Sequence, residues 1–237
     1  MTAIWHDLEC GSYAADLPLW RMLAAEHGSP VLEVGAGTGR VAIDLARRGH
    51  RVLALDHDAE LLAELRRRTD GLELATVLAD ARTFELDECF ALCLVPMQTI
   101  QLLGGPDGRR AFLEHARRHL KEGGVLAAAL ASRLEAYELE DGAPGLVPDM
   151  CERDGVLYAS HPTAIRADGD GFVLERRRET VAPDGHRTVE ANVIKLARVL
   201  PAEIEREAAE AGLEPAGRAT IPPTKDYSGS EVVILRG

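Results

Sequence analysis

The sequence predicts an α/β fold: a doubly wound, mostly parallel sheet of seven strands that carries an inserted antiparallel β meander. Three observations lead there. From Val31 to about Leu130, short apolar runs alternate with stretches of helical periodicity, the rhythm of a parallel sheet wound with helices. Three glycines crowd into positions 35 to 39, directly after the first apolar run. Beyond Ala131 the rhythm changes to strand-length runs joined by Asp-Gly turns.

With 237 residues, 46% of them hydrophobic, the chain can bury one substantial core, so a single domain over residues 1–237 is expected, with one elaboration. Residues 1–28 are assigned to helices ahead of the first strand. Residues 29–131 follow as VLEV, RVAIDLARRG, RVLALD, AELLAELRRR, LATVLAD, FALCLVP, RRAFLEHARRHL and GVLAAAL, strands and helices in turn. Gly49, Gly71 and Gly123-Gly124 come after the helical stretches, where a C-terminal cap needs left-handed backbone. DGAPGLVPDM reads as a long loop. The insert, residues 150–200, holds strands near 156–166, 172–181 and 188–200, separated by ADGDG and APDGH. Residues 201–237 return to the core. PAEIEREAAEAG has proline at a helix start and glycine at its end. A strand near 215–220 and EVVILRG would close the sheet, with PPTKDYSGSE as an exposed connection.

The glycine turn lies at the carboxyl end of the first predicted strand, where wound sheets bind ligands. Glycine lets the backbone turn sharply and lets a ligand approach main-chain N–H groups, while the helix start behind favours an anionic group. The order is GxGxG with Arg40 next, not the GxGxxG of dinucleotide dehydrogenases. Asp56 ends RVLALD 56 − 35 = 21 residues after the first glycine, about the interval at which an acid reaches ribose hydroxyls. Asp80 is a third acid at a strand end, after Glu33 and Asp56.

VLEVGAGTGR, VLALDHD, VLADA, FALCLVPMQTIQLL and LKEGGVLAAAL, in that order and spacing, resemble the successive motifs of class I S-adenosylmethionine-dependent methyltransferases. The resemblance covers roughly Leu17 to Leu130 and implies the Rossmann-like methyltransferase fold, with residues 29–131 as cofactor-binding core and residues 1–28 as lid helices. It implies S-adenosylmethionine as cofactor, with S-adenosylhomocysteine as product. Glu33 would hold the amino group of the methionine end, with Gly35, Ala36, Gly37, Thr38 and Gly39 beneath the cofactor. Asp56 would take both ribose hydroxyls, His57 would pack on the adenine, and Asp80 with the Ala81 amide would read its edge. Val95 and Tyr13 complete the implied set. One departure stands out: Ala91 occupies the place of an acid that the family usually carries early in its fourth strand. No metal-ligand cluster is visible, so no metal is expected.

The acceptor is expected to be a small molecule, an amine or a hydroxyl. Base-methylating relatives of the resembled family place Asp/Asn-Pro-Pro-Tyr after strand four, and this chain has Val95-Pro96-Met97-Gln98. Gln98, Thr99 and Gln101 are candidates for touching the acceptor. YAADLPLWRMLA resembles the lid helix of small-molecule methyltransferases, in which Tyr13 and Trp20 would cover the cofactor, and the antiparallel insert resembles those that wall off an acceptor pocket. A general base is optional for a neutral amine; for a hydroxyl, His161, His6 and Asp149 are candidates. Two other readings stay open: a cofactor-binding protein without turnover, and a nicotinamide-dependent oxidoreductase, against which the GxGxG order counts.

Composition narrows the partners. A formal net charge of −12 argues against nucleic acid, which needs a concentrated basic face. Arg66-Arg67-Arg68 and Arg176-Arg177-Arg178 sit among acids and are expected to be solvated surface. Cys10, Cys89, Cys93 and Cys151 are expected to be buried thiols rather than disulfides or metal ligands. No apolar run is long enough for a membrane helix and residues 1–10 lack signal character, so a cytoplasmic protein is expected. The exposed edge of the meander is a candidate for pairing two chains.

Overall fold

A computed structural model of the chain describes residues 2–131, 134–139, 147–225 and 227–237. In chain order the elements begin with α1 (Thr2–Cys10), α2 (Leu17–His27), β1 (Val31–Val34), α3 (Arg40–Ala46), β2 (Val52–Asp56), α4 (Ala59–Arg67) and β3 (Leu74–Leu78). Next come β4 (Phe90–Val95), α5 (Pro106–Arg118), β5 (Leu120–Leu130), β6 (Tyr137–Glu138), β7 (Asp149–Arg153), β8 (Val156–Asp168) and β9 (Gly171–Val181). The last are β10 (Arg187–Ala197), α6 (Pro201–Glu210), β11 (Glu214–Ile221) and β12 (Ser230–Arg236). Two compact units contain them: Tyr13–Arg133 with Val199–Gly237, and Met1–Ser12 with Leu134–Arg198.

The larger unit is the wound sheet, in strand order β11-β12-β5-β4-β1-β2-β3. β1 to β5 are parallel, and β12 runs antiparallel to both of its neighbours. A strand between two helical layers must be apolar on both faces. β1 is accordingly buried at every position. Alternate residues serve alternate layers. Leu32, Val34, Cys93 and Val95 pack with Phe112 of α5 and Ile204 of α6. Val31, Leu92 and Leu94 pack on the other side with Trp20, Leu45 and Leu62.

Local chemistry fixes the helix ends. The Asp58 carboxylate accepts from the amides of Glu60 (2.8 Å) and Leu61 (3.2 Å), capping α4. Pro201 opens α6, and the Glu203 carboxylate reaches back to the Leu200 amide at 2.7 Å. Between α5 and α6, Arg109 donates to Glu207 at 2.8 and 2.6 Å, both side chains being buried.

The smaller unit is antiparallel, ordered β10-β9-β8-β6, with β7 also paired to β8. Helix α1 belongs to this unit. Trp5 meets Tyr158 edge-on at 5.4 Å, and Arg178 lies over the Trp5 ring at 5.3 Å. Buried Glu9 accepts from Arg178 at 2.8 and 2.7 Å and from the Ser160 hydroxyl at 2.8 Å.

Several expectations are corrected. DGAPGLVPDM ends inside β7, because Asp149 and Met150 find ladder partners in Ser160 and Ala159; Asp141–Leu146 lie outside the described residues. Asp226, in the expected connection PPTKDYSGSE, lies outside them too. The 137–138 strand was not anticipated. Arg176 and Arg178 are not solvated surface, since carboxylates on neighbouring elements bind both; only Arg177 of that run is exposed. Cys93 is buried as expected, whereas Cys89 is exposed and Cys10 and Cys151 are partly so.

The Arg109–Glu207 pair sets a testable cost. Removing one partner leaves a buried charge alone, so Arg109→Met is expected to lower unfolding free energy by about 3–5 kcal/mol, and the double change Arg109→Met/Glu207→Leu to recover most of it. Denaturant titration of the three proteins measures both values.

Candidate functional site

Parallel register brings the carboxyl ends of four strands side by side. Val34 is opposite Leu55, Asp56 is opposite Leu78, and Glu33 is opposite Leu94 one residue before the end of β4. The glycine turn leaves β1 at this end. Its amides are already engaged: Gly35 and Ala36 both donate to the Leu55 carbonyl (2.9 and 3.0 Å), and Gly39 donates to Ala36 (2.9 Å). Gly37 donates to the Asp56 carboxylate at 2.7 Å. The expectation of free main-chain donors is therefore corrected for these four residues. The turn provides a surface without side chains rather than a set of open N–H groups.

Gly35 shows why no side chain fits. Its φ is +73°, and an added Cβ would sit 2.5 Å from the Thr99 methyl and 2.6 Å from the Thr99 hydroxyl. At Gly39, φ is +93° and the added carbon would lie 2.1 Å from a Leu65 methyl. The turn is clamped between the tip of β4 and α4. Met97, at that tip, has φ +55°, a conformation that non-glycine side chains seldom adopt and that concentrates at functional sites.

Two carboxylates converge on the turn. Asp56 is only 5% exposed, and besides Gly37 it accepts from the Asp58 amide at 2.9 Å. A carboxylate has about four acceptor positions, so each oxygen keeps capacity for a further donor. Glu33 is 2% exposed, and its Oε2 is buried without any hydrogen-bond partner. Burial pushes its pKa up to about 8, against the opposing pull of the Arg40 charge and a hydrogen bond from the Ala42 backbone.

Arg40 was read from the sequence only as the residue that breaks GxGxxG. In the structure it forks onto Asp16 at 2.6 and 2.7 Å and donates to the Tyr13 carbonyl at 2.8 Å. Asp16 also accepts from the Trp20 indole at 2.8 Å. Trp20, offered as a cover for the cofactor, is instead completely buried core. Tyr13 is buried between Tyr227, at 4.5 Å between ring centroids, and the Arg40 guanidinium, at 5.1 Å. Asp16, Arg40 and Tyr227 were missed as a group. Only the placement of Arg40 straight after the glycines signalled it.

The other predicted residues divide. Thr38, Ala36, Ala81 and Val95 are buried around the strand ends. The His57 side chain is 87% exposed, with Nδ1 3.5 Å from Asp56. Asp80 sits at the expected place, but Arg82 binds it through its guanidinium at 2.9 and 2.6 Å and its amide at 2.8 Å. Those contacts hold the Asp80 pKa down to about 2. The Gln101 amide, expected at the acceptor, is spent on the Ala131 backbone at 3.3 and 2.8 Å. Thr99 donates its hydroxyl to the Pro96 carbonyl at 3.1 Å. Gln98 is partly buried at the same tip. Ala91 lies at the irregularity in the β4–β5 ladder, its amide on the Pro30 carbonyl at 3.0 Å.

His6, His161 and Asp149 belong to the smaller unit. His161 is paired with Arg177 and Asp149 with Ser160, so they point to opposite faces of that sheet. Asp149 is engaged by Arg176 at 3.0 Å.

Comparison with known proteins agrees with this geometry. A family model described as a methyltransferase domain matches residues 31–124. A protein of Methanothermobacter thermautotrophicus, described as a probable cobalt-precorrin-6B C(15)-methyltransferase (decarboxylating), is 32% identical over 136 residues, covering 54% of this chain and 68% of that one. The chain belongs to the class I S-adenosylmethionine-dependent methyltransferases. In fold it is similar to the sugar N-methyltransferase KedS8 of a Streptoalloteichus species, with TM-score 0.78 and 18% identity over 100% of this chain and 93% of that one. It is similar also to CalS10, an amino pentose methyltransferase of Micromonospora echinaspora, with TM-score 0.70 and 22% identity over 99% and 95% of the two chains. The nicotinamide reading is set aside.

Two predictions follow from the turn and its acid. Gly35→Ala is expected to cost about 1–3 kcal/mol from the left-handed backbone alone, and adding Thr99→Ala to recover the steric part; thermal melts compare the three proteins. For Glu33 the folded pKa stands above the unfolded value, so its contribution to stability is complete below about pH 4.5 and is lost as pH rises through about 8. Between pH 5 and pH 9 the melting temperature of the wild type is therefore expected to fall relative to that of Glu33→Gln.

Proposed function

We propose that the chain transfers the methyl group of S-adenosylmethionine to a small-molecule acceptor, an amine or a hydroxyl, by in-line displacement. The observation that carries this reading is the unpartnered oxygen of buried Glu33 beside the glycine turn. A cationic amino group satisfies such an acid better than any neutral donor does. Asp56, with acceptor capacity left on both oxygens, suits the two hydroxyls of a ribose. Glu33, Gly35, Ala36, Gly37, Thr38, Gly39, Asp56, His57, Asp80, Ala81, Val95 and Tyr13 are the residues assigned to the cofactor. Asp80 would share its oxygens with Arg82 there.

When bound, S-adenosylmethionine supplies a methyl group already made electrophilic by its sulfonium. The protein is then left to hold the acceptor in line and to exclude water, a positioning effect worth up to about 7–11 kcal/mol in ideal cases. An amine acceptor suits this chain better than a hydroxyl, because a neutral amine needs no general base and Asp149 is tied to Arg176. The N-methyltransferase KedS8 and the amino pentose enzyme CalS10 support the same choice. Gln98 is retained as the acceptor contact at the β4 tip.

The reading includes a cytoplasmic location, no nucleic-acid partner, and pairing of two chains through β10, where Val189 and Val193 are about half exposed. No helix among the described residues is long and apolar enough to cross a membrane, and the acid excess disfavours nucleic acid.

Isothermal titration with S-adenosylhomocysteine tests the cofactor site. Micromolar binding is expected, weakened about 100-fold or more in Asp56→Ala, which removes hydrogen bonds to a charged group worth about 1.5–3 kcal/mol each. A labelled-methyl screen of amines, phenols and acids then tests turnover. Cofactor binding without transfer to any of them would favour a binding protein instead.

A further inference from the structure

The sheet face that binds α1 carries a second polar group set, centred on Arg176 and joined to the helix through the Ser160 hydroxyl, which donates to Glu9. Strand register places Asp149 opposite Ser160 and Asn192 opposite Arg176 on this face. Tyr137 joins them, because it pairs with Ile165, which pairs with Leu174, two residues from Arg176 on the same strand. Burial pushes the Tyr137 hydroxyl pKa up, and the Arg176 charge opposes that rise.

Arg176 is held in place. Its Nη1 donates to Asp149 at 3.0 Å and to the fully buried Ser160 hydroxyl at 3.1 Å. A guanidinium has five N–H donors in a rigid fork. Among the described residues those on Nε and Nη2 meet no acceptor, although the side chain is only 24% exposed. Beside it, the Asn192 carbonyl oxygen is buried with no partner. Buried polar atoms in native proteins are almost always satisfied, so an orphan next to a fixed, half-used guanidinium points to a ligand.

Charge narrows the ligand's chemistry. Arg176 is matched by Asp149 and Arg178 by Glu9, so the face has no surplus charge to draw an anion such as phosphate. What remains is a rigid array of donors and acceptors at partly buried positions, with planar groups at its centre. Vicinal hydroxyls, each able to give one hydrogen bond and accept another, complement such an array.

We propose that this patch binds the uncharged, hydroxyl-rich part of a small molecule, with Arg176 donating and Asn192 both donating and accepting.

Saturation-transfer NMR provides the test, using the methyl glycosides of 2-, 3- and 4-amino hexoses, with cyclohexylamine as the hydroxyl-free control. Spectra are recorded with and without S-adenosylhomocysteine. Transfer to at least one amino sugar and none to cyclohexylamine is expected. Arg176→Met and Asn192→Leu are each expected to weaken that binding about tenfold or more while leaving S-adenosylhomocysteine affinity within about twofold. The Asn192 side-chain oxygen makes no hydrogen bond among the described residues, so Asn192→Leu is expected to keep the wild-type melting temperature, which separates lost recognition from lost folding. Equal binding of cyclohexylamine, no binding of any amino sugar, or unchanged binding by Asn192→Leu would overturn the proposal. Absence of S-adenosylhomocysteine binding speaks against the cofactor reading alone, and the ligand-free spectra still decide the patch.

Discussion

A carboxylic acid buried at the end of the leading strand, with one oxygen left unpartnered, is the constraint around which the larger unit is arranged. Glu33 stands in a strand whose other residues are all apolar and fully enclosed, a place where an acid is costly unless something offsets the burial. Nearby Arg40 does not neutralise it, because its fork is committed to Asp16. The protein therefore keeps a strained electrostatic position at a place where packing alone would have chosen valine or leucine. Such a cost persists where function requires it.

The rest of the site follows from register. Parallel pairing sets the ends of β1 and β2 side by side, and a hydrogen bond from Gly37 to Asp56 ties the turn of one strand to the acid of the next. Because the turn satisfies its own amides on Leu55, Ala36 and Asp56, it needs no ligand to stay folded. That arrangement leaves a preformed floor with two acids beside it, suited to a nucleoside with a cationic tail more than to a pyrophosphate.

Much of this was legible in the chain. Alternating apolar and helical stretches specify a parallel sheet because each strand is buried twice, and the Asp-Gly turns mark the three long antiparallel strands to within a few residues. Glu33, Asp56 and Asp80 could be placed at strand ends because an acid closing an apolar run has few other roles. What the sequence hid were partnerships between distant positions. Nothing local says that Arg82 will occupy Asp80, that the Gln101 amide will be used on Ala131, or that Arg176 and Arg178 will turn inward toward Asp149 and Glu9. A run of three arginines looks like surface until the strand register shows that alternate members share a face with carboxylates. β6 was missed because two residues carry no periodicity.

The central claim is that Glu33 is held protonated until a cationic group arrives beside it. Calorimetric titration of S-adenosylhomocysteine at pH 7, run in two buffers of different ionisation enthalpy, measures the protons exchanged on binding. With a Glu33 pKa of about 8, binding is expected to release close to one proton, and Glu33→Gln to abolish the buffer dependence. Identical heats in both buffers for the wild type, or an undiminished dependence in Glu33→Gln, would contradict the account.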